Sequence, residues 1–183
     1  MKTSRTDPLR VDVLEGATLG LPGRLGLTFA PGKKDGTRLW DRDLDEDLER
    51  LREVYGAEVL VTLLEAHELA ALGIPDLLER ARAHGLETIW FPIRDMSVPS
   101  SMDDLVALVE RLGGLLAAGR TVVVHCWGGI GRTGLVAACC LVARGLAPAG
   151  AVTLVREARP GSLETPSQEE HVDDFAAAWA RRR

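Results

Sequence analysis

Apolar residues recur along this chain with two periods, and the changes of period mark off short strands from longer helices. Residues 11–14 and 25–29 read as strands, and the polar, glycine-bearing stretch 31–36 reads as a turn or loop. Over 41–55 the period lengthens: Leu44, Leu48, Leu51 and Val54 recur at three and four residues, and Gly56 ends the helix. Asp43, Asp45, Glu46 and Asp47 crowd its first turns, where the helix dipole favours negative charge. Residues 58–63 predict a buried strand. A short helical piece then runs to Gly73, a second helix opens at Pro75 and closes at Gly85, and 86–93 predict another strand. Ser101 caps a helix through Ala118 whose inner side carries Leu105, Leu108, Val109, Leu112 and Leu116. Residues 121–124 are apolar without interruption, as in a strand covered on both faces.

Beyond that strand the pattern is helical: 132–144, Pro148–Ala158 and, after the loop RPGSLETP, 167–180, where Ser167 and Glu170 read as a capping box. Strands separated by helices predict an α/β fold with a central, mainly parallel sheet flanked by helices. No repeat, linker or low-complexity segment interrupts the pattern, so residues 1–183 are expected to form a single domain, with its core at about 25–180.

Composition narrows the function by exclusion. The net charge is −5, and all but three of the 22 cationic residues are arginines that form no dense basic run, so no nucleic-acid partner is expected. The start, MKTSRTDPLR, lacks an apolar signal core, and no apolar run is long enough to span a bilayer, so no membrane partner is expected and the location expected is cytoplasmic. Cys126, Cys139 and Cys140 form no C-x-x-C pair, which fits a reducing compartment, and the four histidines give no metal-ligand spacing. No metal and no cofactor are expected.

Candidate chemistry concentrates in VVVHCWGGIGRTGLVAACC, residues 122–140. Gly129, Gly131 and Gly134 spell the G-x-G-x-x-G of a dinucleotide-binding turn. That turn requires a following strand with an acidic ribose ligand about 20 residues on, and here Leu154 and Val155 stand there on a helical face. The alternative, H-C-x5-R-[ST]-G, uses every position. A five-residue loop closing on a helix N-terminus turns successive backbone N–H groups inward, and Gly128, Gly129 and Gly131 would supply the unusual dihedrals of such a nest. Trp127, Gly128, Gly129, Ile130, Gly131 and Arg132 then form a cradle for a tetrahedral oxyanion such as inorganic phosphate. Cys126 lies at its floor, where amides, helix dipole and Arg132 all stabilise a thiolate nucleophile. The planar Arg132 fork can grip two phosphoryl oxygens, and Thr133 can donate its hydroxyl to the sulfur. His125 braces the loop through hydrogen bonds, while Trp127 touches the substrate or serves as a buried anchor. Cys139 and Cys140 read as core.

HCWGGIGRTG resembles the signature loop of the cysteine-dependent protein tyrosine phosphatases, and the short chain points to their dual-specificity branch. FPIRDMSVP resembles the general-acid loop, with Asp95 as the acid, and RPGSLETPSQ resembles the segment before the last helix. From about residue 25 to residue 179 the likeness is nearest to the kinase-associated phosphatases within that branch. The resemblance implies a protein tyrosine phosphatase-like fold and a phosphoric monoester hydrolase. The expected substrate is a phosphoprotein or phosphopeptide carrying phosphotyrosine, with phosphoserine and phosphothreonine as further candidates, turned over through phosphocysteine. A carboxylate such as Asp95 suits this chemistry, because an expelled alkoxide or phenoxide needs a proton and the later attacking water must lose one. By resemblance Gln168 could orient that water; it could equally be an exposed amide. Two other readings remain: a phosphoinositide or small-molecule phosphatase, whose loops carry lysines absent from WGGIG, and a non-catalytic phosphate-binding module.

Overall fold

A computed structural model describes residues 1–182. The chain runs β1 (Asp12–Leu14), α1 (Gly16–Leu19), β2 (Arg24–Phe29), β3 (Lys34–Asp35), β4 (Trp40–Asp41), α2 (Leu44–Glu53), β5 (Val59–Thr62), α3 (Ala66–Ala71), α4 (Leu77–Ala83), β6 (Glu87–Trp90), α5 (Met102–Ala117), β7 (Thr121–Cys126), α6 (Gly131–Ala143), α7 (Pro148–Ala158) and α8 (Pro166–Ala180). Five strands form one sheet in the order β1-β2-β7-β5-β6, parallel except for β1. The expected mainly parallel α/β architecture is therefore present. Among the described residues, no helix is long and apolar enough to cross a membrane.

The period of two along the strands sorts side chains between two cores. On β7, Val122, Val124 and Cys126 face the core under α5, α6, α7 and α8, while Val123 faces the one under α2, α3 and α4; on β5, Val59 and Val61 follow the first set and Leu60 the second. Every strand residue of β7 is buried, which is why Val122, Val123 and Val124 run apolar without alternation. Helix α6 is buried along all 13 residues, enclosed by α5, α7, α8 and the sheet. It thus carries Arg132 into the interior.

Three local expectations are corrected. The stretch 31–36 is more than a turn: Lys34–Asp35 pairs antiparallel with Trp40–Asp41 as a two-stranded sheet of its own. Its attachment is tertiary. Arg42, fully buried, donates to both oxygens of Asp47 at 2.8 Å, and Asp47 Oδ2 also accepts from Gly32 N, so Asp47 is a buried anchor and not a solvated dipole acid. The strand expected over 86–93 stops at Trp90: Phe91 N still donates to the Thr62 carbonyl, but beyond Pro92 the Ile93 N–H turns to the Leu63 carbonyl, one residue short of the parallel register. Helix α8 begins one residue earlier than expected, at Pro166, and its cap lies two residues earlier: Thr165, not Ser167, caps it in a box with Gln168, not Glu170.

Candidate active site

Strand β7 ends at Cys126, in register with Phe29 of β2, and α6 begins at Gly131, so residues 127–130 form the loop between a central strand and a helix N-terminus. Of the three glycines expected to need unusual dihedrals, only Gly129 has a positive φ, 70°. A Cβ there would lie 2.1 Å from the carbonyl oxygen of Thr28, so both conformation and contact require glycine. At Gly131 a Cβ would fall 2.5 Å from Glu164 Oε2 and 2.9 Å from Gln168 Oε1, so a side chain there would have to displace these two side-chain ends.

The Gly129 N–H donates to Cys126 Sγ at 3.2 Å, and this amide stands where Thr133 was expected to donate. Thr133 Oγ1 is buried in the first turn of α6 without a hydrogen-bond partner. Arg159 grips the loop from outside, donating to the carbonyls of Gly128 (3.0 Å) and Gly129 and pairing with Asp12 at 2.7 Å. Carbonyls held outward leave the following N–H groups turned to the opposite side, toward the sulfur.

A cleft of about 410 Å³ opens over the loop, lined by Cys126, Trp127, Gly128, Ile130 and Arg132 and rimmed by Asp35, Thr37, Arg38, Asp95, Met96 and Glu164. Trp127, considered as a substrate contact or a buried anchor, is half-buried: it lines the cleft and packs against the core under α2 to α4. Arg132 is buried and heavily bonded: to Glu68 through two N–H groups at 2.7 and 2.9 Å, to the Ile93 carbonyl at 2.9 Å and to Asp95 Oδ1 at 2.8 Å. Burial works against its cation, but Glu68, the Cys126 sulfur and Asp95 outweigh burial and raise its pKa above the usual value. Asp95 is 60% exposed in a turn whose next residue, Met96, has φ 57°, a strained left-handed conformation for a non-glycine.

Glu68 was not legible as a site residue. It is the N3 residue of a capping box with Glu65 at the start of α3, and the same carboxylate holds the Arg132 fork. Glu68→Ala is expected to lower stability by about 3–5 kcal/mol, since a buried cation loses its main partner. Chemical denaturation measures this, with Glu68→Gln expected between Ala and wild type.

His125 is completely buried. Its Nδ1 lies 3.3 Å from the Cys126 carbonyl, which can only accept, so Nδ1 carries the proton and Nε2 accepts from Thr62 Oγ1 at 2.9 Å. Burial, and secondarily Arg132, push its pKa down to about 4, although the backbone bond to Cys126 works the other way. An unfolded chain binds this proton near pH 6.5, so stability is expected to fall as pH drops from about 6.5 to about 4, by up to ~3 kcal/mol. Urea midpoints for wild type and His125→Gln across that range check it; equal slopes would refute it.

Gln168, considered as an exposed amide, is fully buried: Oε1 accepts from Glu164 N and Thr165 N, and Nε2 donates to the Ser97 carbonyl. Both ends are committed to backbone, tying the 162–168 segment to the Asp95 turn. Cys139 and Cys140 are buried in α6, where burial pushes Cys140 up to about 12. Among the described residues, no group of three or more His, Cys, Asp or Glu is placed to hold a metal.

The family model "Polymorphic toxin system, DSP-PTPase phosphatase" matches residues 37–146, which include Asp95, Cys126 and Arg132. Cyclin-dependent kinase inhibitor 3 of Rattus norvegicus is 28% identical over 171 residues, 92% of this chain and 79% of its own length. The crystal structure of kinase associated phosphatase, with its catalytic-site cysteine replaced by serine, superposes with a TM-score of 0.87 at 27% identity, over 94% of this chain and 96% of that one. Phosphatidylglycerophosphate phosphatase PTPMT2 of Arabidopsis thaliana is 31% identical over 132 residues, 72% of this chain and 55% of its own.

Proposed function

Because this chain belongs to the polymorphic toxin system DSP-PTPase phosphatase family and is a phosphoric monoester hydrolase, we propose that it dephosphorylates proteins at phosphotyrosine, and at phosphoserine or phosphothreonine, through a phosphocysteine intermediate. The observation that carries this reading is the Cys126 sulfur at the foot of the cleft, met by the Gly129 amide, with Arg132 and Asp95 on the same cleft wall.

In the first step Cys126 Sγ attacks phosphorus, the P–O bond to the leaving group breaks, and Asp95 gives its proton to the departing oxygen. Loop amides of residues 127–132 and the Arg132 guanidinium hold the three equatorial oxygens as charge spreads over them. For this, the phosphoryl group must take from Asp95 its place on Arg132 Nη2, which Asp95 shares with Glu68. In the second step water attacks phosphorus, its proton passes to Asp95, and the thiolate leaves with the S–P electron pair. A thiolate nucleophile works only when reduced, which suits a reducing compartment such as the cytoplasm.

The likeness to PTPMT2 raises a phosphoinositide or other small-molecule phosphate ester as a second substrate class. The rim favours it less: Asp35, Asp95 and Glu164 face Arg38 alone, since Arg132 is already paired with Glu68, and a polyanionic headgroup would meet repulsion. Turnover of phosphotyrosyl and phosphothreonyl peptides beside inositol phosphates tests the choice. Faster hydrolysis of inositol phosphates would overturn the protein-substrate reading, and loss of all activity in EDTA with rescue by zinc or magnesium would overturn the mechanism.

A further inference from the structure

Lys33 is a buried cation that the chemistry above leaves unused. It follows Gly32, whose φ is 70°, in the turn leading from β2 to β3, and it is only 4% exposed. Its Nζ lies 4.5 Å from the centre of the Phe29 ring and 4.3 Å from that of Trp40. Among the described residues, no carboxylate forms an ion pair with it. Instead Nζ points to the carbonyl of Trp127, the first residue after Cys126, at 3.5 Å, and Ala30 N donates to the same oxygen at 3.3 Å.

This contact completes a pattern. The carbonyls of Trp127, Gly128 and Gly129 are each met from outside the loop by a cation, Lys33 on the first and Arg159 on the other two. In a trans peptide the carbonyl and the next N–H point in opposite directions, so a carbonyl drawn to Lys33 turns the Gly128 N–H away from it, and Gly128 lines the cleft. A cation on the carbonyl also polarises the peptide and strengthens that N–H as a donor. From this geometry we infer that Lys33 is a positioning residue of the phosphatase site, holding the first peptide of the phosphate-binding loop in its donating orientation and placing positive charge beside the Cys126 sulfur. The inference rests on the Cys126 reading proposed above.

The charge is conditional on pH. Burial, then the like charges of Arg38 and Arg42, bring the Lys33 pKa down to about 8, against the opposing pull of Asp35 and Cys126; Asp47 on α2 offsets Arg42, and Lys2 lies over the Trp40 ring at 4.8 Å. Lys33 is therefore a cation at pH 7 and loses its charge as pH rises through about 8, so oxyanion affinity should fall there.

Competitive inhibition of p-nitrophenyl phosphate hydrolysis by sulfate, whose charge is constant from pH 6 to 9.5, reads this directly. Lys33→Met is expected to weaken sulfate roughly tenfold at pH 7, because a unit positive charge is removed from behind the loop, and to abolish the wild-type fall in affinity between pH 7 and 9. Lys33→Arg, still charged, should hold its affinity to pH 9. A Met variant within twofold of wild type, or one keeping the wild-type pH dependence, would overturn the inference. If the Met variant does not fold, identical pH dependences for wild type and the Arg variant would overturn it. Sulfate binding needs no sulfur nucleophile, so failure here is distinguishable from full activity in a Cys126→Ser protein, which would sink the reading beneath it.

Discussion

Replacing Cys126 by serine is expected to abolish turnover while leaving phosphate-ester binding largely intact. The two halves of that expectation have separate causes. Binding rests on the loop amides and on Arg132, whose place is fixed by Glu68 and the Ile93 carbonyl; Arg159 holds the loop from outside, and none of these bonds involves the sulfur. Turnover rests on the sulfur. A serine hydroxyl in the same place stays protonated: His125 is fully buried behind the loop with both nitrogens engaged, and Asp95 is the proposed proton donor to the leaving group in this step, not a base for the nucleophile. The Gly129 amide that meets the sulfur stabilises an anion and takes no proton. Single-turnover assays with a phosphotyrosyl peptide, together with calorimetric titration of the same peptide, check both halves. A serine variant with full activity would sink the phosphocysteine mechanism, and one that loses binding as well would mean that the sulfur itself holds the loop together.

The loop was legible because it is contiguous. Strand, nucleophile, glycines and arginine follow one another within residues 122–134, so local physics alone assembles them. The groups that hold the loop are scattered, and each is one of many of its kind. Glu68 is a helix-capping glutamate, Arg159 one arginine among nineteen, and Lys33 half of a Lys-Lys pair in a stretch that reads as solvated turn. Only the chain path shows that the first meets Arg132, the second the Gly128 and Gly129 carbonyls, and the third the Trp127 carbonyl.

The same distinction runs through the fold. The long periodic helices and the unbroken apolar strand β7 declare themselves, since their pattern is written over ten residues or at uninterrupted density. The β3–β4 hairpin does not, because two strands of two residues have no periodicity, and their order comes from the Arg42–Asp47 pair, Lys33 and the Phe29 and Trp40 rings. At the start of α8, Thr165 and Ser167 are both chemically able to cap. Pro166 decides between them, since its fixed φ and missing N–H suit the first helical position after Thr165.

Asp95→Asn should slow hydrolysis of poor leaving groups severely and of good ones much less. The proposed role of Asp95 is to protonate the departing oxygen, a service that a tyrosine or serine oxyanion requires and that an activated aryl oxyanion can do without. General-acid catalysis is typically worth about 10²–10⁴-fold, so kcat/KM for a phosphotyrosine or phosphoserine peptide should drop by that range. The geometry adds a second expectation. Asp95 Oδ1 accepts from Arg132 Nη2 at 2.8 Å, on a 60% exposed side chain beside the strained Met96, so the carboxylate competes with an incoming phosphoryl group for that donor. Asparagine keeps a carbonyl but loses the charge, and Arg132 should release it more readily. The variant should therefore bind phosphate esters at least as tightly as wild type even as it turns them over slowly, placing the loss in kcat and not in KM. A series of aryl phosphates of graded leaving-group acidity measures this as a steeper dependence of kcat on leaving group in the variant. Equal losses across the series would mean that Asp95 merely shapes its turn, and the proton donor would then have to be sought among the other groups rimming the cleft, of which Glu164 is the one already bonded to a loop amide.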